Sequence, residues 1–472
     1  MARAKLKGKD IRKIGYQEGR PIGLAIQAME THYKGKSRVF KLDLLKRVLE
    51  NPAFYAKDDK LGGIAQELLV QKEAAQKPAL NTQRKPYRIY GAEDIEEGAR
   101  HQMEVAMKLP ITVEGALMPD AHQGYGLPIG GVLATDNAVI PYGVGVDIGC
   151  RMCLTMYDLP ESFIGQNSDS LKKMLVDNTR FGQAAFKHPE DDAVLERKEF
   201  SEIQVVKSLK DRAYSQIGSS GGGNHFVEFG VVEILDPNNE FHLPPGQYVG
   251  VLSHSGSRGL GANIARHYTQ LAKQLCQLPD EARHLAWLTL DSEEGQEYWQ
   301  AMNLAGDYAS ACHHQIHRRL SKALGESHLA MVENHHNFAW QEVSEDGREI
   351  IVHRKGATPA GKGVLGVIPG SMTAPGFIVR GKGDSQSINS AAHGAGRVMS
   401  RTQAKKTITQ KMVTEHLRQA GVELIGAGLD EAPMAYKNIH QVMQYQQDLV
   451  EVVGIFYPRI VRMCGGNFRE VD

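Results

Sequence analysis

The chain has little cysteine, no long hydrophobic run and no net charge, and each shortage narrows what it can be. Its five cysteines (Cys150, Cys153, Cys276, Cys312 and Cys464) are spread over 472 residues. That is too few and too scattered for a disulfide framework, so they read as thiols or metal ligands in a reducing compartment. No stretch approaches the roughly 18 apolar residues of a membrane helix. The opening MARAKLKGKDIRKIGYQEGR carries no apolar signal region, and the expected location is the cytoplasm. Fifty-five basic residues balance fifty-five acidic ones, which removes the overall positive charge of a general nucleic-acid binder. No repeat of fixed period and no low-complexity tract is present. At 42% hydrophobic and 23% charged, the composition excludes disorder, collagen and coiled coil as the main state.

What is present is unevenly distributed. Residues 1–90 hold 20 Lys/Arg against 9 Asp/Glu, a net of +11, and the remainder carries the compensating −11. A basic arm on an acidic body points to a polyanion contact near the N-terminus. The segments IGLAIQAMETHY, LDLLKRVLENP and KLGGIAQELLVQKEAAQK space their apolar residues at three and four, which predicts helices. From about residue 85 short β-rich runs such as VLATDNAVIPYGVGVDIG and REIIVHRKG alternate with glycine clusters and helices. The expected architecture is α+β: a helical extension over 1–80, then a mixed α/β catalytic domain over 85–472. Forty-nine glycines are concentrated in loops that either turn tightly or cradle a ligand.

Three groups of residues could carry chemistry. In GVGVDIGCRMC, Asp147 and Cys150 lie three apart in a glycine-bounded turn, a spacing that reaches one metal or bridges two. Alternatively Cys150 is a buried structural thiol, or Cys150 and Cys153 form half a zinc site or a redox pair; no second C-x-x-C completes the zinc pattern. His225, His254 and His336 stand in polar, glycine-rich loops, and with Asp147 and Cys150 they make an N/O/S donor set large enough for two ions. A thiolate among imidazoles disfavours magnesium and suits manganese, zinc, iron or cobalt. His313 and His317 share a helical i, i+4 spacing, but without a glycine loop and beside Arg318, Arg319 and Lys322 they are read as a solvated or polyanion-facing surface. His122, in MPDAHQGYGLPIGG, is left undecided.

The third group is a nucleotide signal over 353–401. Arg354 and Lys355 precede a glycine-proline loop ending in Ser371, and His393 follows in HGAGRVMSR at a small-residue turn read as a helix start, with Arg397 adding charge. Neither a Walker A loop nor a dinucleotide fingerprint is present. A histidine so presented suits a nucleophile at phosphorus or a general acid.

The blocks GVDIGC, GGGNHFVE, SHSGSRGLG, HHN, HRKGATPA, PGSM and SAAHGAGRVMSR, in this order, resemble those of the RtcB family of RNA-splicing ligases. The resemblance implies a GTP- and manganese-dependent ligase that joins an RNA 3′-phosphate or 2′,3′-cyclic phosphate to a 5′-hydroxyl. It implies a central site of two manganese ions, one held by Asp147, Cys150 and His225, the other by Cys150, His254 and His336. His393 matches the histidine that takes up GMP. Asn224, His225, Phe226, Val227 and Glu228, then His336 with Asn337, then Pro369, Gly370, Ser371 and Met372, then His393, Gly394, Ala395 and Gly396 match the nucleotide-contacting blocks. An archease-type activator is a further implied partner.

The sequence departs from the family in three places. It ends VRMCGGNFREVD, with Cys464 (or Met463, depending on the gap) where the family has a terminal lysine, and Arg462 as a possible substitute. Gly376 stands where a nucleotide-contacting serine is common. The basic helical extension lies outside the usual core. Two other readings compete with ligation: a metal-dependent RNA-end phosphodiesterase or phosphatase, and a non-catalytic RNA-binding scaffold.

Overall fold

Apolar residues spaced three and four apart put one face of each N-terminal helix into a small common core. The computed structural model describes residues 6–17, 19–74 and 78–465. They fall into two compact units, one of residues 1–78 with 274–277, the other of 79–273 and 278–472. In the first, α1 (Arg20–Thr31), α2 (Arg38–Glu50) and α3 (Gly62–Ala74) bury Ala25, Met29, Leu45, Val48, Ile64 and Ala65 together. Helix α1 starts with Pro21 in its first turn, where a missing N–H costs nothing. Helix α2 is capped by Ser37, whose Oγ accepts from the Phe40 N–H at 3.2 Å, and a proline follows two residues after its end. All three predicted helices are present; the last residues of the third segment lie outside the described residues.

The second unit is built on two sheets. In chain order its principal elements are β1 (Thr112–His122), β2 (Ile129–Thr135), β3 (Arg151–Tyr157), β4 (Phe226–Ile234), β5 (Gly246–Ser255), α4 (Glu293–Leu324), β6 (Ala330–His335), β7 (Asn337–Val343), β8 (Glu349–Lys355), β9 (Leu365–Ile368), β10 (Gly376–Gly381), β11 (Ser390–Ala392) and β12 (Val450–Gly465). The larger sheet has the order β9-β10-β12-β4-β5-β3-β6, with Glu423–Ala427 paired to β12, and the smaller is Arg88–Ile89 followed by β1-β2-β8-β7. Strand β3 is buried along its whole length, so its sequence MCLTMY runs apolar without alternation. Met152, Leu154 and Met156 pack with Val232, Leu252 and Phe456 on one face. Thr155 and Tyr157 turn to the other, where they meet His317 and Ser321 of α4.

This topology gathers one end of four neighbouring strands. Cys150 precedes β3, His225 precedes β4, His254 lies near the end of β5, and His336 follows β6. The register pairs Met152 with His254, Phe226 with His254, and Arg151 with His335, so all four residues lie along one edge of the sheet. His336 is also the residue at which the chain leaves the larger sheet for the smaller one, between β6 and β7. His393 follows β11 in a loop, not at a helix start; the next helix begins at Arg401, capped by Ser400. Among the described residues no helix is long and apolar enough to cross a membrane.

Candidate active site

Asp147, Cys150, His225, His254 and His336 meet in the wall of a cavity of about 760 Å3. His225 Nε2 lies 3.3 Å and His254 Nε2 3.2 Å from Cys150 Sγ, while His254 Nε2 is 3.2 Å from His336 Nε2. His225 Nε2 is also 3.1 Å from Asp147 Oδ2. The His254 Nδ1–H donates to the Asn224 carbonyl at 3.2 Å, which puts its lone pair on Nε2, the atom facing the sulfur. Burial holds His254 down to about 3 and His336 well below the ordinary imidazole value, so both rings are neutral. Burial alone raises the Asp147 carboxyl, but the contacts with His225, Cys150 and Arg258 outweigh it and take it below the usual carboxylate range. His225 Nδ1 and His336 Nδ1 are buried without a hydrogen-bond partner.

A sulfur, three imidazole nitrogens and a carboxylate oxygen gathered at these separations form an S/N/O donor set that fits divalent metal. Glycine makes the convergence possible. A Cβ on Gly256 would overlap the Asp147 carboxylate, and one on Gly221 would overlap the His225 ring. The loops SHSGSRG and SSGGGNH therefore carry glycine because the ligands themselves occupy the space.

His393 stands beside this cluster, its ring centroid 4.8 Å from that of His336. Its Nδ1–H donates to Asp120 Oδ2 at 2.6 Å, and its backbone N–H donates to the same oxygen at 3.2 Å. With Nδ1 committed to a fully buried carboxylate, the lone pair lies on Nε2. Sequence reasoning missed Asp120. The only signal was its place two residues before His122 in MPDAH, since nothing along the chain links position 120 to 393. His122 lines the same cavity, donates from Nδ1 to the Asp120 carbonyl at 3.1 Å, and is lowered by burial to about 4.

Most of the expected nucleotide-contacting residues line the cavity: Asn224, His225, Phe226 and Glu228, Asn337, Pro369 to Met372, Gly376, and His393 to Gly396. Burial pushes the Glu228 carboxyl well above its usual value, which makes it a hydrogen-bond donor. Val227 is the exception; its side chain turns to the opposite face, into a cluster with Tyr157 and Leu175. Asn337 also serves the loop, because its amide donates to the Asp147 carbonyl at 3.3 Å and accepts from the Gly356 N–H at 2.9 Å. Of the basic pair, Lys355 lines the cavity and is lowered by burial to about 7. Arg354 does not; it is buried and held by Glu342 at 2.5 Å and Ser390 at 2.7 Å.

The C-terminal strand corrects two expectations. Alternation along β12 sends Val461 and Met463 to the cavity, whereas Cys464 packs against the Tyr157 cluster behind the sheet. Arg462 also points away, donating to the Leu175 and Thr179 carbonyls with its guanidinium 5.4 Å over the Phe181 ring. Neither Cys464 nor Arg462 stands where a lysine would reach the site; Met463 does. Residues 466–472 lie outside the described residues.

His313 and His317 are likewise not a solvated surface. They are buried beneath the sheet, close to Cys153. The Ser255 carbonyl can only accept, so His313 donates to it from Nε2 at 3.1 Å and its Nδ1 receives the Ser253 hydroxyl at 2.6 Å. The Ser253 oxygen then accepts from His317 Nε2 at 2.8 Å, and His317 Nδ1 accepts from Thr155 at 2.8 Å. Every ring nitrogen is thus hydrogen-bonded, and Cys153, pushed up to about 12 by burial, stays a thiol. This layer braces the β5 segment that carries His254.

Comparison with known proteins agrees with the geometry. The model of the family described as tRNA-splicing ligase RtcB matches residues 102–463. The RNA-splicing ligase RtcB of Escherichia coli strain K12 is 36% identical over 398 residues, covering 76% of this chain and 92% of that protein. The tRNA-splicing ligase RtcB of Thermococcus kodakarensis is 31% identical, covering 76% of this chain and 90% of its own. That of Nanoarchaeum equitans is 31% identical, with 79% and 94% covered.

Because Cys150 faces the cavity and Cys153 the braced layer, their replacement should differ sharply. Elemental analysis of purified Cys150→Ala should show metal content collapsing, whereas Cys153→Ala should retain it. Equal loss from both would restore the C-x-x-C reading.

Proposed function

The chain belongs to the RtcB family of RNA ligases, and from that membership we propose that it seals RNA 3′-phosphate or 2′,3′-cyclic phosphate ends to 5′-hydroxyl ends through a GMP adduct on His393. The observation that carries this reading is the 2.6 Å bond from His393 Nδ1 to buried Asp120, which leaves Nε2 as a nucleophile beside His336. Asp147, Cys150, His225, His254 and His336 would hold two manganese ions, with Cys150 shared, whose charge neutralises phosphate oxygens.

His393 Nε2 attacks the α-phosphorus of GTP; a P–N bond forms and pyrophosphate leaves. Asp120 steadies the positive charge that develops on the ring, accepting the Nδ1–H throughout. The RNA 3′-phosphate then attacks the same phosphorus, the P–N bond breaks, and GMP is carried onto the RNA end. The 5′-hydroxyl finally attacks the RNA phosphorus and GMP departs, a far better leaving group than an unmodified phosphate oxygen. A cyclic end must first be opened to the 3′-phosphate. Glu228, kept protonated by burial, and Asn224 supply donors and acceptors to the nucleotide. The basic helical unit is assigned to RNA docking, and an archease-type protein to activation.

Intact mass after incubation with GTP and manganese tests the reading: wild-type protein should gain a GMP adduct that His393→Ala lacks. RNA ends trimmed without any adduct would favour the phosphodiesterase. In Asp120→Asn the amide can turn its NH2 toward Nδ1 and drive the ring proton onto Nε2, so adduct formation should slow by roughly 10²–10⁴-fold. An unchanged rate would refute the tautomer argument.

Two further outcomes follow from placement. Met463→Lys should tighten GTP binding about ten- to a hundredfold, the worth of one charge-assisted hydrogen bond, while Cys464→Lys should not; equilibrium binding of GTP to both variants decides it. Removal of residues 1–78 should leave the adduct intact but flatten the salt dependence of RNA binding. The log–log slope should fall by about 0.7 for each single-strand phosphate that the arm no longer neutralises. An unchanged slope would reduce the arm to solvated surface.

A further inference from the structure

Beside the same cavity three basic side chains converge on three aromatic rings, in an arrangement that neither metal binding nor the His393 chemistry uses. Tyr125 and Tyr142 both line the cavity, and their rings stack with centroids 6.0 Å apart and planes 29° apart. The His284 ring completes the group, 6.0 Å from Tyr125 and 5.3 Å from Tyr142. Lys355 Nζ lies 5.1 Å and Lys273 Nζ 5.5 Å from the Tyr142 ring centroid. Lys355 also donates to the Tyr125 carbonyl at 2.6 Å and the Tyr142 carbonyl at 3.2 Å, which ties the two loops together.

Among the described residues these basic groups are bonded to carbonyls and an imidazole, not to carboxylates. Lys273 Nζ faces His284 Nδ1 at 3.0 Å and Arg283 Nε faces His284 Nε2 at 3.3 Å. A neutral imidazole accepts at one nitrogen only, so one of the two cations is left over for another acceptor. Tyr125 is 58% exposed although its loop is anchored. Gly126 holds a φ of +71° there, and a Cβ on it would come within 2.9 Å of the His284 carbonyl. The site thus presents a rigid, open ring face beside Lys273 and Arg283, which pair with no carboxylate among the described residues.

We infer that Tyr125 is a stacking platform for a nucleobase of the RNA strand flanking the junction, with Lys273 and Arg283 taking the adjacent phosphates. This rests on RNA being the substrate proposed above. An aromatic face next to unneutralised cations is the chemistry of single-strand recognition, where every base offers a π-face and the backbone supplies the charge.

The test measures RNA affinity by fluorescence anisotropy and the GMP adduct by mass, as separate readouts. Tyr125→Leu should weaken binding of 3′-phosphate or 5′-hydroxyl RNA roughly five- to a hundredfold, and Tyr125→Trp should restore it. RNA abasic at its 3′-terminal nucleotide, and RNA abasic at its 5′-terminal nucleotide, are then compared on both proteins. One of them should bind wild-type protein as weakly as Tyr125→Leu binds intact RNA, with no further loss when both changes are combined; which one does so names the strand. Unchanged affinity in Tyr125→Leu, or losses that multiply for both abasic substrates, would overturn the platform, as would rescue failing with tryptophan. Absence of the adduct with the Tyr125 effect intact would instead sink the ligase chemistry and leave the RNA site standing.

Discussion

Five electron-rich side chains brought together at the aligned ends of neighbouring strands are the constraint around which the second unit is organised. The Cys150 sulfur, the Nε2 atoms of His225, His254 and His336 and the Asp147 carboxylate approach within 3.1–3.3 Å of their neighbours in a desolvated wall. Burial keeps the rings of His254 and His336 neutral, so each keeps a lone pair that a metal can use. A divalent cation would engage all of these donors at once. The glycines at 221 and 256 and the four aligned strand termini follow from the need to bring those atoms together.

The sheet separates chemistry from support. Side chains alternate across β3 and β5, so Cys150 and His254 open onto the cavity while Cys153 and Ser253 face α4. On the supporting side a hydrogen-bonded run from Ser255 through His313, Ser253 and His317 to Thr155 leaves no ring nitrogen unsatisfied. A fully satisfied buried network is rigid, and the backbone it holds is the backbone that positions His254. Asn337 plays a similar part from the smaller sheet, joining the Asp147 loop to Gly356.

The crossing of the chain from one sheet to the other at His336 places the donor cluster beside His393. His336 belongs to the donor cluster on one side and lies against His393 on the other, the two ring planes tilted by 47°. Asp120, from β1 of the smaller sheet, then sets the His393 proton. On the function proposed above, a phosphate drawn to the cluster would be brought to the nitrogen that attacks it, and proximity of this kind accounts for a large share of rate in phosphoryl transfer.

The family, the three N-terminal helices and the five residues that converge on the cavity were legible along the chain, because each is written in local pattern: helical spacing, glycine clusters, and histidines beside small polar residues; His254 itself proved to lie in β5 rather than in a loop. His393 was legible in the same way. The rest waited on folding. Asp120 lies 273 positions from its partner, and no local pattern connects them. His313 and His317 sit on a helix whose arginines read as solvated, yet a helix packed against a sheet buries one stripe and exposes another. Arg354 and Lys355 are adjacent in sequence but alternate across β8, so one is locked by Glu342 and the other reaches the cavity. The same two-residue period along β12 makes Met463, not Cys464, the residue that faces the site. Sequence names the chemistry because side-chain type is local, whereas the face on which a strand presents a residue is set by its register with strands far along the chain.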